Sequence, residues 1–420
     1  MKVDTFGETT LMGTPQVSII MAAYNHARYI DKAIASALAQ TWQDFELIVV
    51  DDGSTDTTSQ VVSQFGEPVR YIYQQNRGQG GARNRGIAEA LGTFICFLDD
   101  DDLWEPHYLA TVMSVFQKQP KTDALYTGFQ IIDADGTVLP QKGCRVVPPD
   151  QMYNALVGGG WFPPLVVTVR KTCLDQVGPL DETLRGHDDW DLWLRIARDH
   201  IFRGIPDTVA RYRIHAGGLS ANFDHMLQDQ KLAIVRHFGP EEGPPAAWPE
   251  ERRRAFGAAY RNAGLACVQS KNADRGYQLL KLAFGISPNL LLDLSTFYEL
   301  ALGDQQRGFR GQVDLVDIER NGAEMLQRLN DLIASADRPV QEIRNSAFGK
   351  AYLALAILSD QANDWTAARR YLWRAILTNP RLTRDPSVMR RLFKLFAGQH
   401  IANSMRHLRS KTAGSIAQLE

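Results

Sequence analysis

The sequence predicts an α/β protein: a Rossmann-like mixed sheet with helices on both faces, followed by an all-α region. Three observations predict it. Short apolar strands alternate with amphipathic helices through the first part of the chain, which is the signature of a mostly parallel sheet. Polar, acid-rich turns follow the strands, where such sheets place their ligands. After a Pro- and Gly-rich stretch at "GPEEGPPAAWPE" (239–250) the strand signal ends and helical periodicity takes over.

In chain order, "VSIIMA" (17–22) reads as a buried strand, and Ile30, Ile34, Ala37 and Leu38 fall at helical spacing behind it. "FELIVV" (45–50), "VRYIY" (69–73) and "FICFL" (94–98) repeat the strand pattern, with a helix over "GGARNRGIAEALG" between the last two. A second set of strands is expected around 124–139, turning at Asp135-Gly136, and at "PLVVTV" (164–169) and "TVARYRIH" (208–215). The expected division is an extension over 1–14, an α/β domain over 15–238, a linker over 239–250, a helical domain over 251–400 and a basic tail over 401–420.

The bulk numbers narrow the function. The 420 residues carry a formal charge of −2, which argues against a general nucleic-acid binder, since phosphate binding needs a basic face. Four cysteines lie far apart without a CxxC pair, so neither a disulfide framework nor a cysteine-rich zinc site is legible. Residues 1–14 lack the basic start and apolar core of a signal peptide, and no apolar run reaches the roughly 18 residues of a membrane span. A cytoplasmic location is the expectation.

The chemistry concentrates in "FLDDDDLW" (97–104), where four adjacent carboxylates follow an apolar strand. Like charges at such spacing are costly to bury unless a cation neutralises them, and hard oxygen ligands suit Mg²⁺ or Mn²⁺. The alternative is a solvated loop in which Asp102 caps the helix that Pro106 opens. A second acidic turn at Asp51-Asp52 should emerge on the same sheet edge. Because Mg²⁺ takes many of its ligands from phosphates and water, a diphosphate substrate follows.

Four ordered motifs, "VSIIMAAYNHARYIDKAIASALAQTWQDFELIVVDDGSTD" (17–56), "NRGQGGARNRGI" (76–87), "GTFICFLDDDDLW" (92–104) and "VGPLDETLRGHDDWDLWLRIA" (177–197), together resemble the family 2 glycosyltransferases. The resemblance implies a GT-A fold and inverting transfer of a sugar from a nucleotide-diphosphate sugar to a glycan or lipid-linked acceptor hydroxyl, in cell-surface polysaccharide or glycolipid synthesis. Carried over by motif, it puts Ala22, Tyr24 and Asp52 at the donor, the last two at the nucleotide base. Arg83 falls near the diphosphate, Asp99 and Asp101 in the DxD pair with Asp101 as metal ligand, and Asp100 at the ribose. Asp189 becomes the general base. His187-Asp188-Asp189 departs from the commoner Gly-Glu-Asp arrangement, which leaves the role of Asp188 as a substrate contact open. In "YRIHAGGLS" (212–220), Arg213 corresponds to a phosphate contact and His215 to a second metal ligand. Trp161 and Trp190 are offered as stacking surfaces for sugar or acceptor rings, although large aromatics are core residues by default.

Beyond the α/β region, Tyr260–Pro288 superposes on Tyr352–Pro380 at a constant offset, and the second copy resembles a tetratricopeptide hairpin, a feature that implies a protein partner. Residues 381–411 carry Arg381, Arg384, Arg390, Arg391, Lys394, Arg406, Arg409 and Lys411 against the single acid Asp385. Interleaved with apolar residues in "VMRRLFKLF", they suggest peripheral contact with the inner face of a membrane, or else a solvated capping face. The competing function is an inactive nucleotide-sugar-binding domain attached to a helical interaction region.

Overall fold

The computed structural model describes residues 14–143, 145–215, 217, 218 and 222–396. Nearly all of the expected N-terminal extension and the whole 401–420 tail lie outside the described residues. The chain divides between Pro240 and Glu241 into two compact units.

In the first unit, β1 (Val17–Ala23) leads through α1 (Ile30–Leu38) to β2 (Phe45–Asp51), then α2 (Thr58–Val62), β3 (Val69–Tyr73), α3 (Gln79–Glu89) and β4 (Phe94–Phe97). These strands pair in parallel in the order β3-β2-β1-β4. Every residue of β1, β2 and β4 is buried, as expected for strands covered on both faces. The acid within β2, Glu46, is accommodated because it accepts from Ser18 Oγ (2.7 Å), Arg70 Nη1 (2.6 Å) and Leu91 N (2.7 Å), while the other, Asp51, closes the strand. Helix α3 comes close to β1 at Gly86, where a Cβ would stand 2.4 Å from Ile20 Cγ2.

The sheet continues through β5 (Leu103–Trp104), α4 (Tyr108–Lys118), β6 (Ala124–Ile132), β7 (Val138–Gly143), α5 (Met152–Val157), β8 (Val167–Arg170), α6 (Lys171–Val177), α7 (Asp188–Asp199), β9 (Phe202–Arg213) and α8 (Phe223–Phe238). The full order is β3-β2-β1-β4-β8-β6-β9-β5, with β7 on β6. Strand β8 is antiparallel to β4 and β6, while β9 runs parallel to β6 and antiparallel to β5, so the sheet is mixed. The turn at Asp135-Gly136 closes the β6–β7 hairpin, with Gly136 at φ 92°.

Three expectations need correction. The strand expected over 164–169 begins as a 3-10 turn at Pro164–Val166 and becomes strand at Val167, because adjacent prolines cannot enter a ladder. The strand expected at 208 starts at Phe202. Gly204 and Pro206 obscured its pattern, yet Gly204 is required there: a Cβ would lie 2.3 Å from the Tyr126 ring. Asp102 does not cap the following helix, which begins at Tyr108 after His107.

The second unit holds α9 (Glu250–Gln269), α10 (Ala273–Ile286), α11 (Leu294–Ala301), α12 (Ile318–Ala334), α13 (Arg338–Glu342), α14 (Arg344–Gln361) and α15 (Trp365–Thr378). Within the stretch expected as a linker, Trp248 is buried beside Phe256 of this unit. The α9–α10 and α14–α15 hairpins are copies in register. Lys271 (φ 63°) and Asn363 (φ 58°) make the same left-handed turn between the helices, and 3-10 turns follow at Pro288–Leu292 and Pro380–Arg384. Asp293 then accepts from Ser295 N as Asp385 does from Ser387 N. Close crossings use small residues at matched positions: a Cβ on Gly257 would meet Ser287 Cβ at 2.7 Å, and one on Gly349 would meet Asn379 Cβ at 2.5 Å.

Candidate active site

The carboxyl ends of β1, β2 and β4 deliver the acidic turns to one edge, and the four adjacent aspartates separate there into four environments. Asp99 Oδ1 accepts from Arg83 Nη2 (2.7 Å) and Gln79 Nε2 (3.2 Å). Asp100 is buried, accepts from Tyr24 N (3.1 Å) and lies 2.7 Å from His26 Nδ1. Burial pushes the Asp100 carboxyl up to about 6, and the hydrogen bond to Asp100 pushes the His26 imidazole up to about 9. Asp101 Oδ2 sits 2.9 Å from His215 Nε2. Asp102 is buried, accepts from Arg213 N (2.6 Å) through Oδ1, and has no hydrogen-bond partner at Oδ2 among the described residues; burial holds its carboxyl well above the usual carboxylate range. The repulsion anticipated from the sequence is relieved by sending each acid to a different cation or donor.

Arg83, on α3 and buried, joins two distant motifs. Its Nη2 donates to Asp99 and its Nη1 to Asp188 Oδ2 (3.1 Å) at the start of α7. Next to Asp188, the partly exposed Asp189 accepts from Trp190 N (2.7 Å). Burial, reinforced by the Asp188 charge, pushes the Asp189 carboxyl up to about 7, against the pull of Arg83 and His187. A carboxylate that titrates there is matched to proton transfer near neutral pH. The loop before α7 is fixed from α8: Asp229 accepts from Arg185 N (2.9 Å), Gly186 N (2.9 Å) and His187 N (2.8 Å). His237, also on α8, reaches Asp191 at 2.7 Å.

The sequence-derived residues therefore separate into groups. Asp99, Asp188 and Arg83 come together, and so do Asp101 and His215. Asp52 is buried and accepts from Gln74 Nε2 (2.7 Å), Arg77 N (2.8 Å) and Gly78 N (2.8 Å), which anchors the 74–78 loop leading into α3. Ala22 lies one residue before the end of β1, beside Val50, and the Tyr24 side chain is exposed at the rim. Two residues stand elsewhere than expected. Trp190 is buried, with its indole N–H donating to Leu156 O (2.9 Å), so its ring packs α7 on α5 and offers no stacking face. Arg213 is buried and donates to the main-chain carbonyls of Asp101 (2.6 Å), Asp133 (3.0 Å) and Ala134 (3.2 Å), with its guanidinium 4.9 Å from the Tyr29 ring centroid; it braces the acidic turn instead of reaching for phosphate. Trp161 donates to Arg145 O (3.3 Å) beneath the Arg145 guanidinium.

Sequence reasoning missed His26 and Asp229. His26 sits inside the quoted first motif, two residues past Tyr24, and its polarity directly after a buried strand was the available signal. His26, Asp101 and His215 each offer one ligand atom, and these atoms all lie within 4.8 Å of one another. Two imidazole nitrogens and a carboxylate form a donor set suited to a first-row divalent ion, with the carboxylate supplying the hard oxygen that Mn²⁺ or Mg²⁺ favours.

A family profile described as Glycosyl transferase family 2 matches residues 18–159. The UDP-Glc:alpha-D-GlcNAc-diphosphoundecaprenol beta-1,3-glucosyltransferase of Escherichia coli is 32% identical over 210 residues, 49% of this chain and 80% of that protein. The chain belongs to glycosyltransferase family 2. An uncharacterized glycosyltransferase of Nostoc sp. is 35% identical over 215 residues, 48% of this chain and 65% of that protein, and chondroitin synthase of Escherichia coli is 36% identical over 238 residues, 56% of this chain and 34% of that protein. The chain thus spans 65% of the length of the first curated relatives it matches. The mixed sheet with flanking helices is the GT-A architecture expected of this glycosyltransferase family. The Asp188-Asp189 pair lies beyond the profile match, which makes its link to Asp99 through Arg83 a finding of the structure.

Proposed function

We propose that this chain transfers a sugar, with inversion, from a nucleotide-diphosphate sugar to an acceptor hydroxyl on a growing glycan or lipid-linked saccharide, in cell-surface polysaccharide or glycolipid synthesis. The observation that carries the reading is Asp189: a carboxyl pushed up to about 7 at the start of α7, one residue from the acid that Arg83 ties to the DxD turn.

Asp101, His215 and His26 would hold a divalent cation, Mn²⁺ or Mg²⁺, with Asp100 orienting the His26 ring. When bound, that ion supplies positive charge where the departing diphosphate gains negative charge. The chain's own residues do the rest. Tyr24 and the Asp52-anchored loop flank the nucleotide, and Gly80 in the first turn of α3 leaves room for the Asp188 carboxylate beside it. Arg83 holds Asp99 and Asp188 at a fixed separation and adds cationic charge beside the diphosphate. Asp189 accepts the proton of the acceptor hydroxyl as its oxygen bonds the anomeric carbon. The anomeric carbon–oxygen bond to the diphosphate breaks on the opposite face, and the nucleoside diphosphate leaves with the electron pair.

The UDP-glucose used by the Escherichia coli relative is the first donor to try. Release of the matching nucleoside diphosphate, UDP or GDP, from a panel of UDP- and GDP-sugars, with Mn²⁺ or Mg²⁺ and a saccharide acceptor, should identify the pair. Absence of nucleotide release from every donor, with nucleotide binding intact, would favour the inactive binding-domain alternative.

A further inference from the structure

We propose that the face formed by α15 and the helical residues 386–396 docks the chain on an anionic lipid surface. The duplication of the helical hairpin supplies an internal control, because the same backbone motif occurs earlier in the unit with a different surface. Over residues 273–304 the first copy carries two basic residues, Arg275 and Lys281, against four acids. Over the matched residues 365–396 the second copy carries eight basic residues against Asp385 alone. The hairpin architecture therefore does not require the charge.

The apolar side chains change in the same way. The solvent-facing positions Lys281 and Gly285 of α10 correspond to Trp373 and Leu377 of α15, which are 54% and 65% exposed. Ala273 corresponds to Trp365 and Asp304 to Phe396, both exposed. In the first copy Phe297 and Ala301 are buried on α11, which packs against α12 and α14; their counterparts Met389 and Phe393 are exposed. These side chains form one patch. Arg369 donates to Leu395 O (2.8 Å) and lies over the Phe396 ring, and Trp365 and Trp373 stand one helical turn to either side of it. Met389, Phe393 and Phe396 share a face of their own helix at i, i+4 and i+7.

Not all of the basic charge is free to meet a ligand. Arg370 pairs with Glu319, and Arg391 and Lys394 with Asp360. Arg381, Arg384 and Arg390 are exposed and make no ion pair among the described residues. Exposed tryptophan and phenylalanine together with unpaired arginine on the same hairpin copy is the composition that inserts rings at the headgroup level while cations meet anionic lipid. An uncharged or basic partner surface would leave those arginines uncompensated.

The test is flotation of the full chain with phosphatidylcholine vesicles, with and without phosphatidylglycerol. Binding should require phosphatidylglycerol and weaken as salt is added. Arg381→Glu/Arg384→Glu/Arg390→Glu should lower partitioning by at least about a hundredfold, since loss of the three cations alone removes about 1 kcal/mol per basic residue near the surface. Trp373→Ala/Phe393→Ala should also weaken it, whereas Lys281→Ala/Leu282→Ala in the first copy should not. All these positions are exposed, so folding, checked by thermal melting, should survive. Failure to bind phosphatidylglycerol vesicles, or equal binding by the charge-reversed chain, overturns the proposal. So does a concentration-dependent dimer abolished by Trp373→Ala/Phe393→Ala, which would assign the face to a second copy of the chain.

Discussion

Arg83 donates to Asp188 across a separation of 105 residues in sequence, and its other terminal nitrogen is held by Asp99. One buried guanidinium thus sets the distance between the DxD turn and the helix that carries the candidate base. Removing it leaves the buried Asp188 and the half-buried Asp99 without their shared cation. Arg83→Ala should lower unfolding stability by about 3–5 kcal/mol, the usual cost of deleting one partner of a buried ion pair. Chemical denaturation measures it, and a loss under about 1 kcal/mol would mean that Asp99 and Asp188 find other partners.

Asp189→Asn should abolish sugar transfer and leave nucleotide binding within about twofold. The pH dependence has a definite sign. Transfer requires the ionised carboxylate, so kcat should fall as pH drops through about 7 and level off above it. A rate independent of pH between 5.5 and 8, on the order of one unit either side of that midpoint, would remove Asp189 from the role.

The same shift predicts a gain in stability. The Asp189 carboxyl is raised in the folded state, so between about 4 and about 7 the folded chain holds a proton that the unfolded chain has released, and stability declines as pH rises through that window. Asn in its place carries no such penalty. Asp189→Asn should therefore melt higher than the parent at pH 8 and nearly equal to it at pH 4; a lower melting temperature at pH 8 would contradict the origin of the shift.

Asp229 receives three successive main-chain N–H groups just ahead of α7. Asp229→Ala leaves them without their acceptor, at a cost of about 1–3 kcal/mol. Because the loop positions Asp188 and Asp189, kcat should fall while the donor KM changes little, and the acid limb of the pH profile should move. A purely structural role would lower stability without shifting that limb.

If His26, Asp101 and His215 hold the cation, each of Asp101→Asn, His215→Ala and His26→Ala should raise the Mn²⁺ concentration needed for half-maximal activity by at least about tenfold. Titration of Mn²⁺ into the apo chain gives the same comparison without turnover. Unchanged affinity in His26→Ala would leave the other two as ligands and confine His26 to pairing with Asp100.

Much of the sheet was legible because β1, β2 and β4 are uniform apolar runs, and the acids at their ends mark one edge by topology alone. The partners of those acids were not legible. Asp102 has the local features of a helix cap, yet it is claimed by Arg213 N, 111 residues away, through the β5–β9 pairing. Arg213 and Trp190 occupy motif positions that suggested ligand contact, and in each the long side chain is taken up by main-chain carbonyls. Local spacing encodes which element a residue joins; the direction its side chain takes depends on contacts that the local pattern does not record. The strand from Phe202 was hidden for the converse reason, since Gly204 is there to admit a ring from β6.

The shared guanidinium also bears on how such enzymes can be recombined. A chimera that grafts the segment around α7 from a relative, in order to change the acceptor, will keep its catalytic register only if the incoming helix presents a carboxylate to Arg83 at the same depth. Grafting α3 together with α7 preserves that contact, whereas exchanging either helix for one without the matching residue leaves an arginine or an acid stranded in the interior.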